Sequence, residues 1–267
     1  MDLTKVKLVV SDMDGTLLNA KHEVSDRFFT LFKKLKKHHI HFAAASGRQY
    51  NSIVDKLQDI KDDIYVIAEN GGLMMHREKE LLVTPLPQTQ YLELLQVLEK
   101  VDGAHAVLCG KRNAYLKKDA SKAFIAMLRE YYTQFTLVDD WKSFEGDIIK
   151  IATYHFIGSE QHLYPALQHL ENEVKVKVSG ENWLDISHNN ANKGYALQKL
   201  QQKLGISSAE TLVFGDYNND LEMLAVADHS YAMANAHPNV LKAARYTTHS
   251  NNDYGVERIL EKLIQAQ

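Results

Sequence analysis

Apolar runs alternate with amphipathic segments in the N-terminal part of the chain, and this rhythm predicts a parallel sheet with connecting helices. The first run, 6–10, is typical of a buried strand, and the Asp-Gly sequence that follows Asp12 and Met13 favours a turn. Ser25 then precedes a helix as its predicted cap. The apolar face of that helix consists of Phe28, Leu31, Phe32 and Leu35.

Two further strands continue the same rhythm. They are predicted at 40–45 and 64–68, and a helix with Ile53, Leu57 and Ile60 on one face separates them. Strands separated by helices at this spacing indicate β-α-β units with right-handed crossovers. The fold class predicted for this part is therefore α/β, with a Rossmann-like parallel sheet.

The pattern changes after the third strand. A hairpin is predicted at 73–83, and Pro85 and Pro87 then mark a break. Up to about Ser187 the elements are mixed, and strands with helices on one side of them indicate an α+β module. The predicted helices are 88–101, 121–132 and 162–170, and the predicted strands are 104–109, 114–117, 148–156, 174–179 and 183–186.

The alternating pattern returns in the last part of the chain. Asn192 precedes a helix that Gly205 ends, and a strand at 211–214 leads to Asp216. Shorter elements follow to the C-terminus. We therefore expect two domains, a discontinuous parallel-sheet core formed by 1–83 and 188–267, and an α+β domain, 84–187, inserted into it.

Composition narrows the functional classes. The 267 residues are 45% hydrophobic and 24% charged with a net charge of −3, so neither nucleic acid nor an acidic membrane is an expected partner. The basic run from Lys33 to Lys37 is interpreted as a solvated helix end. The single cysteine, Cys109, excludes an intrachain disulfide. With neither a signal peptide nor a membrane-spanning stretch, we expect a cytoplasmic protein, and a monomer by default.

Polar groups follow the predicted strands at the points where they end. Asp12, Ser46 and Asp216 follow three strands, and Lys193 begins a helix in the same half. Because parallel strands share one carboxyl edge, these groups are expected to converge there. If the chain stays extended after Asp12, Asp14 points to the same side.

This set of groups suits phosphoryl transfer, which depends on positioning and charge neutralisation. Asp12, Asp14 and Asp216 offer oxygen ligands to Mg²⁺. The Ser46 hydroxyl, the Gly47 amide and the Lys193 ammonium could hold phosphate oxygens. Each group alone also has a structural interpretation, as a turn, a helix cap or a surface lysine, and only their combination indicates chemistry.

The same motifs make the chain resemble the haloacid dehalogenase (HAD) superfamily. The motifs that carry the resemblance are Asp12-Met13-Asp14-Gly15-Thr16, Ser46-Gly47-Arg48, Lys193-Gly194 and Gly215-Asp216-Tyr217-Asn218-Asn219-Asp220. The position of the insertion is similar to a C2-type (type IIB) cap. Glu69-Asn70-Gly71-Gly72 and Ala232-Met233-Ala234-Asn235-Ala236 resemble the Cof-type subfamily. The chain departs from the family pattern at Tyr217-Asn218, two positions of the last motif at which the family frequently has small residues. The larger side chains are expected to narrow the entrance to the site.

The resemblance implies roles for individual residues. Asp12 is the expected nucleophile, and Asp14 is the expected acid and base, which requires a raised pKa for Asp14 relative to Asp12. Asp216 is expected to complete the Mg²⁺ site. The further expected roles are phosphate binding by Ser46, Gly47, Lys193 and Asn219, support by Asp220, and substrate contacts by Arg48 and Asn70.

The resemblance implies a Mg²⁺-dependent phosphatase that hydrolyses small phosphorylated metabolites through an aspartyl-phosphate. Sugar phosphates, nucleotides and pyridoxal phosphate are the expected substrate classes. A phosphomutase acting on sugar phosphates is one alternative, since the same motifs serve both reactions. A non-catalytic sensor of phosphorylated metabolites is the other.

Overall fold

The computed structural model describes residues 2–131, 135–144 and 146–267, and the chain divides into two compact units. The first unit, here called the core unit, consists of Met1–Leu82 and Asn192–Gln267. The second, the middle unit, is the continuous segment Val83–Ala191.

The N-terminal half of the core unit follows the predicted alternation. Its elements are β1 (Leu8–Asp12), α1 (Asp26–Lys37), β2 (His41–Ala45), α2 (Tyr50–Lys56), β3 (Tyr65–Ala68), β4 (Leu73–His76) and β5 (Lys79–Val83). The Ser25 hydroxyl caps α1 by accepting the Phe28 N–H at 3.0 Å, as predicted. The helix predicted between β2 and β3 ends early, at Lys56, and a 3₁₀ helix, Gln58–Asp63, continues it. A 3₁₀ helix repeats every three residues, so Leu57 and Ile60 still face the core.

The middle unit is a six-stranded sheet with helices. Its elements are α3 (Gln88–Leu98), β6 (His105–Gly110), β7 (Ala114–Lys117), α4 (Lys122–Tyr131), β8 (Phe135–Val138), β9 (Ile148–Tyr154), α5 (Ser159–His162), α6 (Tyr164–Leu167), β10 (Lys175–Val178) and β11 (Trp183–Ser187). The strand order is β10-β11-β9-β6-β7-β8. Only β7 and β8 form a parallel pair among the described pairings.

Helices cover both faces of this sheet, so the expectation of helices on one side was wrong. Val107 and Cys109 of β6 pack with Phe124 of α4, whereas Leu108 packs with Leu94 of α3. Because successive strand residues point to opposite faces, an uninterrupted apolar run requires cover on both.

The structure differs from the sequence predictions for the middle unit in two further respects, and a third prediction extends beyond the described residues. The helix predicted at 162–170 is divided into shorter pieces, since Pro165 stands at the start of α6 and cannot donate a backbone hydrogen bond. The strand β8 was not predicted. The end of the helix predicted at 121–132 lies outside the described residues, because the structure describes that helix only to Tyr131.

The C-terminal half of the core unit completes its sheet. The elements are α7 (Lys193–Leu204), β12 (Thr211–Gly215), α8 (Leu221–Ala225), β13 (His229–Ala232), α9 (Pro238–Ala243), β14 (Tyr246–Thr247) and α10 (Gly255–Ala266). The order of the eight strands is β14-β13-β12-β1-β2-β3-β4-β5. The first six in this order pair in parallel, and β4 runs antiparallel to β3. The predicted α/β fold class with a parallel sheet is confirmed.

The topology of the core sheet places a crevice beside β1. The chain order runs outward from β1 through β2 and β3 on one side and through β12 and β13 on the other. In open α/β sheets the ligand crevice lies where the strand order reverses, outside the carboxyl ends of the strands. In this sheet that point lies between the ends of β1 and β12. None of the helices in the described part of the chain has the length and apolarity needed to span a bilayer.

Candidate active site

A buried lysine joins two aspartates at the carboxyl edge of the core sheet. Asp12 ends β1, and its Oδ1 accepts a hydrogen bond from Lys193 Nζ at 2.5 Å. The same ammonium donates to Asp220 Oδ1 at 2.6 Å. Lys193 and Asp220 are fully buried, and Asp12 is nearly so. Such a charge is stable in a protein interior only when it is paired.

Burial and pairing act in opposite directions on these groups. Burial raises the pKa of Asp12 well above its ordinary value, and the Lys193 ammonium partly opposes that shift. Burial alone would lower the pKa of Lys193, but the Asp12 and Asp220 carboxylates outweigh it and raise that pKa. Lys193 is therefore a permanent cation beside Asp12.

Asp216 lies beside this group, at the end of β12. Its Oδ1 accepts a hydrogen bond from the Thr16 hydroxyl at 3.0 Å. Burial, followed by repulsion from the Asp220 carboxylate, raises the pKa of Asp216 to about 6. Carboxylate oxygens of Asp12, Asp216 and Asp220 all lie within 4.8 Å of one another.

The carboxylate cluster fits a divalent cation on chemical grounds. If all three carboxylates are ionised, they exceed the one ammonium by two negative charges in a largely buried site, and this is why the pKa values of Asp12 and Asp216 rise when no cation is bound. A hard ion such as Mg²⁺ takes oxygen ligands of this kind and neutralises that excess. Asp220, expected only in a supporting role, is part of this cluster, whereas the Asp14 side chain is not among its members.

Gly15 allows Asp216 to approach β1. A Cβ atom at Gly15 would lie 2.2 Å from Asp216 Oδ2, and its φ of +77° favours glycine. We expect Gly15→Ala to weaken Mg²⁺ binding about tenfold or more, because Asp216 must move away. Gly205→Ala is the matched control, since Gly205 has a φ of +67° with no atom within 4 Å of its Cβ position. Equal Mg²⁺ affinities for the two variants, measured by calorimetry, would contradict the assignment of Asp216.

Asp14 lies in a different environment from the one expected. Arg48 Nε donates to its Oδ2 at 2.7 Å and Arg48 Nη2 donates to its Oδ1 at 2.6 Å. These charged hydrogen bonds outweigh partial burial and hold the pKa of Asp14 below its ordinary value, with a smaller contribution from His22. The expectation of a raised pKa for Asp14 relative to Asp12 is thus reversed in this structure.

The turn after β1 explains why the pKa of Asp14 is lowered and not raised. The chain turns immediately after β1, because the backbone N–H of Leu17 donates to the Asp12 carbonyl and that of Leu18 to the Met13 carbonyl. The carboxylate of Asp14 is directed to Arg48 by this turn, and its side chain is 43% exposed.

The loops after β2 and β3 form one connected structure. The Ser46 hydroxyl oxygen accepts the Arg48 N–H at 3.1 Å, and the Ser46 carbonyl accepts the Asn70 N–H at 2.9 Å. The Asn70 amide packs beside Gly47, and its Oδ1 accepts a hydrogen bond from Asn219 Nδ2 at 2.9 Å. Asn219 precedes Asp220, so this bond connects the loops to the carboxylate cluster. The structure thus joins Ser46, Gly47, Asn70 and Asn219 in one network.

Sequence reasoning missed two residues that contact the aspartates of the site. Thr16 was part of a quoted motif but received no role, although its hydroxyl donates to Asp216. His22 contacts Asp14 at 3.4 Å, and no motif pointed to it. The threonine that follows Asp-Gly could have been recognised as a donor, whereas the position of His22 depends on the loop geometry.

Comparisons with known proteins agree on one family. Residues 9–260 match the haloacid dehalogenase-like hydrolases. The chain is 30% identical over 266 residues to 5-amino-6-(5-phospho-D-ribitylamino)uracil phosphatase YbjI of Escherichia coli, with 97% of each chain covered.

Solved structures extend the likeness to the fold. SMU.1108c of Streptococcus mutans is 28% identical with a TM-score of 0.84, and the match covers 97% of this chain and 99% of that one. BT4131, a sugar phosphatase of HAD subclass IIB, shares the fold at 20% identity with a TM-score of 0.79, over 96% and 98% of the two chains. The likeness therefore extends over nearly the whole chain.

Proposed function

We infer the function from one premise: the chain belongs to the haloacid dehalogenase-like hydrolases and is a phosphatase. The resemblance seen in the four motifs is thereby confirmed. We further propose that the enzyme depends on Mg²⁺, acts on small phosphorylated metabolites, and forms an aspartyl-phosphate on Asp12.

The observation that carries this proposal is the pairing of Asp12 with Lys193 beside two further carboxylates. A carboxylate at the end of a central strand, 5% exposed and 2.5 Å from a buried ammonium, is held in one place and orientation. A nucleophile needs this fixed position more than it needs a high basicity. A structural ion pair alone would not need the additional carboxylates of Asp216 and Asp220.

In the first proposed step, an Asp12 oxygen attacks phosphorus and the bond between phosphorus and the leaving oxygen breaks. Asp14 gives its proton to that oxygen, so an alcohol leaves. In the second step, water attacks phosphorus and gives a proton to Asp14, and the bond to Asp12 breaks. The products are the alcohol and inorganic phosphate, and both carboxyl groups return to their starting states.

Arg48 must release Asp14 before the first step. A guanidinium binds phosphate oxygens with the same two-pronged geometry as a carboxylate. An incoming dianionic phosphate therefore competes for Arg48, which frees Asp14 to take up a proton. Lys193 has three N–H donors, of which Asp12 and Asp220 use two, and the Ser46 hydroxyl has its own proton to donate.

Asp12, Asp216 and Asp220 would hold the metal ion. When bound, Mg²⁺ supplies positive charge that stabilises the phosphoryl oxygens and lowers the repulsion between phosphate and nucleophile. The Thr16 hydroxyl orients Asp216 toward this site, and the backbone N–H groups of Asp216 and Tyr217 hold Asp220 through its other oxygen, at 2.9 and 3.1 Å.

The substrate is a small phosphate ester, which we propose comes from the sugar phosphates, nucleotides or pyridoxal phosphate. The Escherichia coli relative adds a further candidate, because its name specifies a phosphorylated ribitylaminouracil. A chain with one cysteine has no intrachain disulfide, which suits the proposed cytoplasmic location.

The direct test measures phosphate release from p-nitrophenyl phosphate after removal of metal with EDTA. We expect turnover to be lost without Mg²⁺ and restored by its addition. Turnover that is unchanged after chelation would contradict the Mg²⁺ assignment. With hexose 1-phosphate as substrate, free phosphate rather than an isomerised sugar phosphate is expected, and an isomer would indicate a mutase.

Thermal unfolding gives a second measure of the metal site. Because the pKa of Asp216 is raised to about 6, the folded protein holds this proton at pH 5 and loses it above pH 6. Mg²⁺ must displace the proton at the lower pH. We therefore expect Mg²⁺ to raise the melting temperature more at pH 7 than at pH 5, and we expect Asp216→Asn to reduce this difference.

A further inference from the structure

We propose that Tyr217 contacts the leaving group of the substrate and favours phosphate esters whose leaving group contains a flat, π-bonded ring. This inference rests on the proposed phosphatase function and adds a substrate class to it. Tyr217 directly follows Asp216 in the chain, and its side chain is 54% exposed.

The backbone of Tyr217 is tied to the carboxylate cluster. Its N–H donates to Asp220 Oδ2 at 3.1 Å, and Asp220 is fully buried against Lys193. An exposed aromatic ring thus begins at a backbone position that the active site itself fixes.

The ring of Tyr217 is also braced by a neighbour. The His237 ring packs against it at 5.6 Å between centroids with an interplanar angle of 77°. His237 is held twice, because its backbone N–H donates to the Asp216 carbonyl at 2.8 Å and its Nδ1 accepts the Asn239 N–H at 3.2 Å. A ring held in this way loses little conformational freedom on binding a ligand.

Exposure increases outward from the buried cluster along the loop that follows β12. Lys193 and Asp220 are fully buried and Asp12 is 5% exposed, whereas Asp216 is partly exposed and Tyr217 more so. Gly15, the neighbour of the proposed proton donor Asp14, lies against Asp216, with 2.2 Å between its Cβ position and Asp216 Oδ2. We therefore place the leaving group of a phosphate bound at Asp12 on the Asp216 side. A leaving group that extends from there meets Tyr217.

The side chains at and beside Tyr217 favour a leaving group with a flat ring over one that is an open polyol. Aromatic side chains stack on π-bonded rings, and such contacts add to the area that they bury. Beside Tyr217, the Asn239 amide donates to Asn218 Oδ1 at 3.2 Å, so amide groups suited to ring nitrogen and carbonyl atoms stand nearby. An acyclic polyol has no π face to use on this surface.

Other exposed tyrosines of the core unit provide a control. Tyr246 is 37% exposed and packs against Tyr231, at the edge of the sheet on β14. Unlike Tyr217, it does not adjoin a residue of the carboxylate cluster. Tyr246→Ala therefore removes an exposed ring of the same kind without altering the proposed contact.

The test compares uridine 5′-monophosphate with glycerol 3-phosphate as ligands. Binding is measured by calorimetry in the Asp12→Asn protein, in which turnover cannot interfere. We expect Tyr217→Ala to weaken binding of the nucleotide about tenfold and that of glycerol 3-phosphate less than twofold. Tyr217→Phe keeps the ring and should keep the preference for the nucleotide. Tyr246→Ala should change the affinity for neither ligand.

Two outcomes would overturn the inference. One is an equal loss of affinity for both ligands when Tyr217→Ala is introduced. The other is equal affinity for the two ligands in the Asp12→Asn protein that retains Tyr217. The proposed function is tested separately by kcat/KM in proteins that retain Asp12. A preference in binding that depends on Tyr217, without turnover of either ester, would support the contact and contradict the phosphatase mechanism.

Discussion

Asp12→Asn is expected to lower phosphate release by about 10⁴-fold or more, because the substitution removes the proposed nucleophile while preserving the size of the side chain. The amide still accepts the hydrogen bond from Lys193, which is 2.5 Å from Asp12 Oδ1 in the native protein. Folding should therefore be retained, as checked by circular dichroism. Turnover of p-nitrophenyl phosphate by purified Asp12→Asn at more than a trace of the native rate would exclude Asp12 as the nucleophile.

Asp14→Asn is the matched comparison, because it changes the other aspartate of the same motif. p-Nitrophenolate leaves without a proton, so the first step should survive the loss of an acid. The second step should stall, because no base activates the water. A burst of one p-nitrophenol per active site, followed by slow turnover, is therefore expected. The same trace for Asp12→Asn and Asp14→Asn would show that the two carboxylates do not have different roles.

The parts of the site that follow from local signals were predictable. Asp12 follows an apolar strand, Lys193 begins a helix with Asn192 as its cap, and Asp216 follows another strand. Each position depends only on where an element begins or ends. Parallel pairing then brings the strand ends together, so their convergence needs no knowledge of side-chain directions.

The pairing of Asp14 with Arg48 could not be predicted in this way. It depends on the turn after Asp12, in which Gly15 has a φ of +77° and the chain leaves the extended conformation. The sequence shows that a turn is favoured there, but not the direction in which Asp14 leaves it. Ion pairs between loops are set by tertiary geometry, which also determined the contact with His22.

In the middle unit, the sequence likewise predicts where a strand lies better than how it packs. Its strand β6 was predicted close to its observed position, but the faces that helices cover depend on which helices return to which side. The apolar residues Val107, Leu108 and Cys109 are consecutive and all buried. Their uninterrupted sequence was the available signal that both faces are covered.

Lys193→Met is expected to be the most damaging substitution for stability, since it leaves Asp12 and Asp220 without their shared cation. The Lys193 side chain is fully buried, and so are both of its ion pairs. Removing one partner of a buried pair costs about 3–5 kcal/mol. Urea unfolding in the absence of divalent cations measures this loss. Lys7→Met, which removes an exposed pair with Glu210, is the control and should change stability little.

The double variant Lys193→Met/Asp220→Asn separates the structural role of the lysine from its proposed role in phosphate binding. Neutralising Asp220 removes one of the uncompensated charges, so stability should partly recover relative to Lys193→Met. Activity should stay below that of Asp220→Asn alone, which loses the same proposed metal ligand, because the ammonium beside the proposed nucleophile remains absent. Mg²⁺ should also stabilise Lys193→Met more than the native protein, since it would supply the positive charge that the buried carboxylates have lost. Recovery of turnover together with stability would mean that Lys193 serves the fold alone.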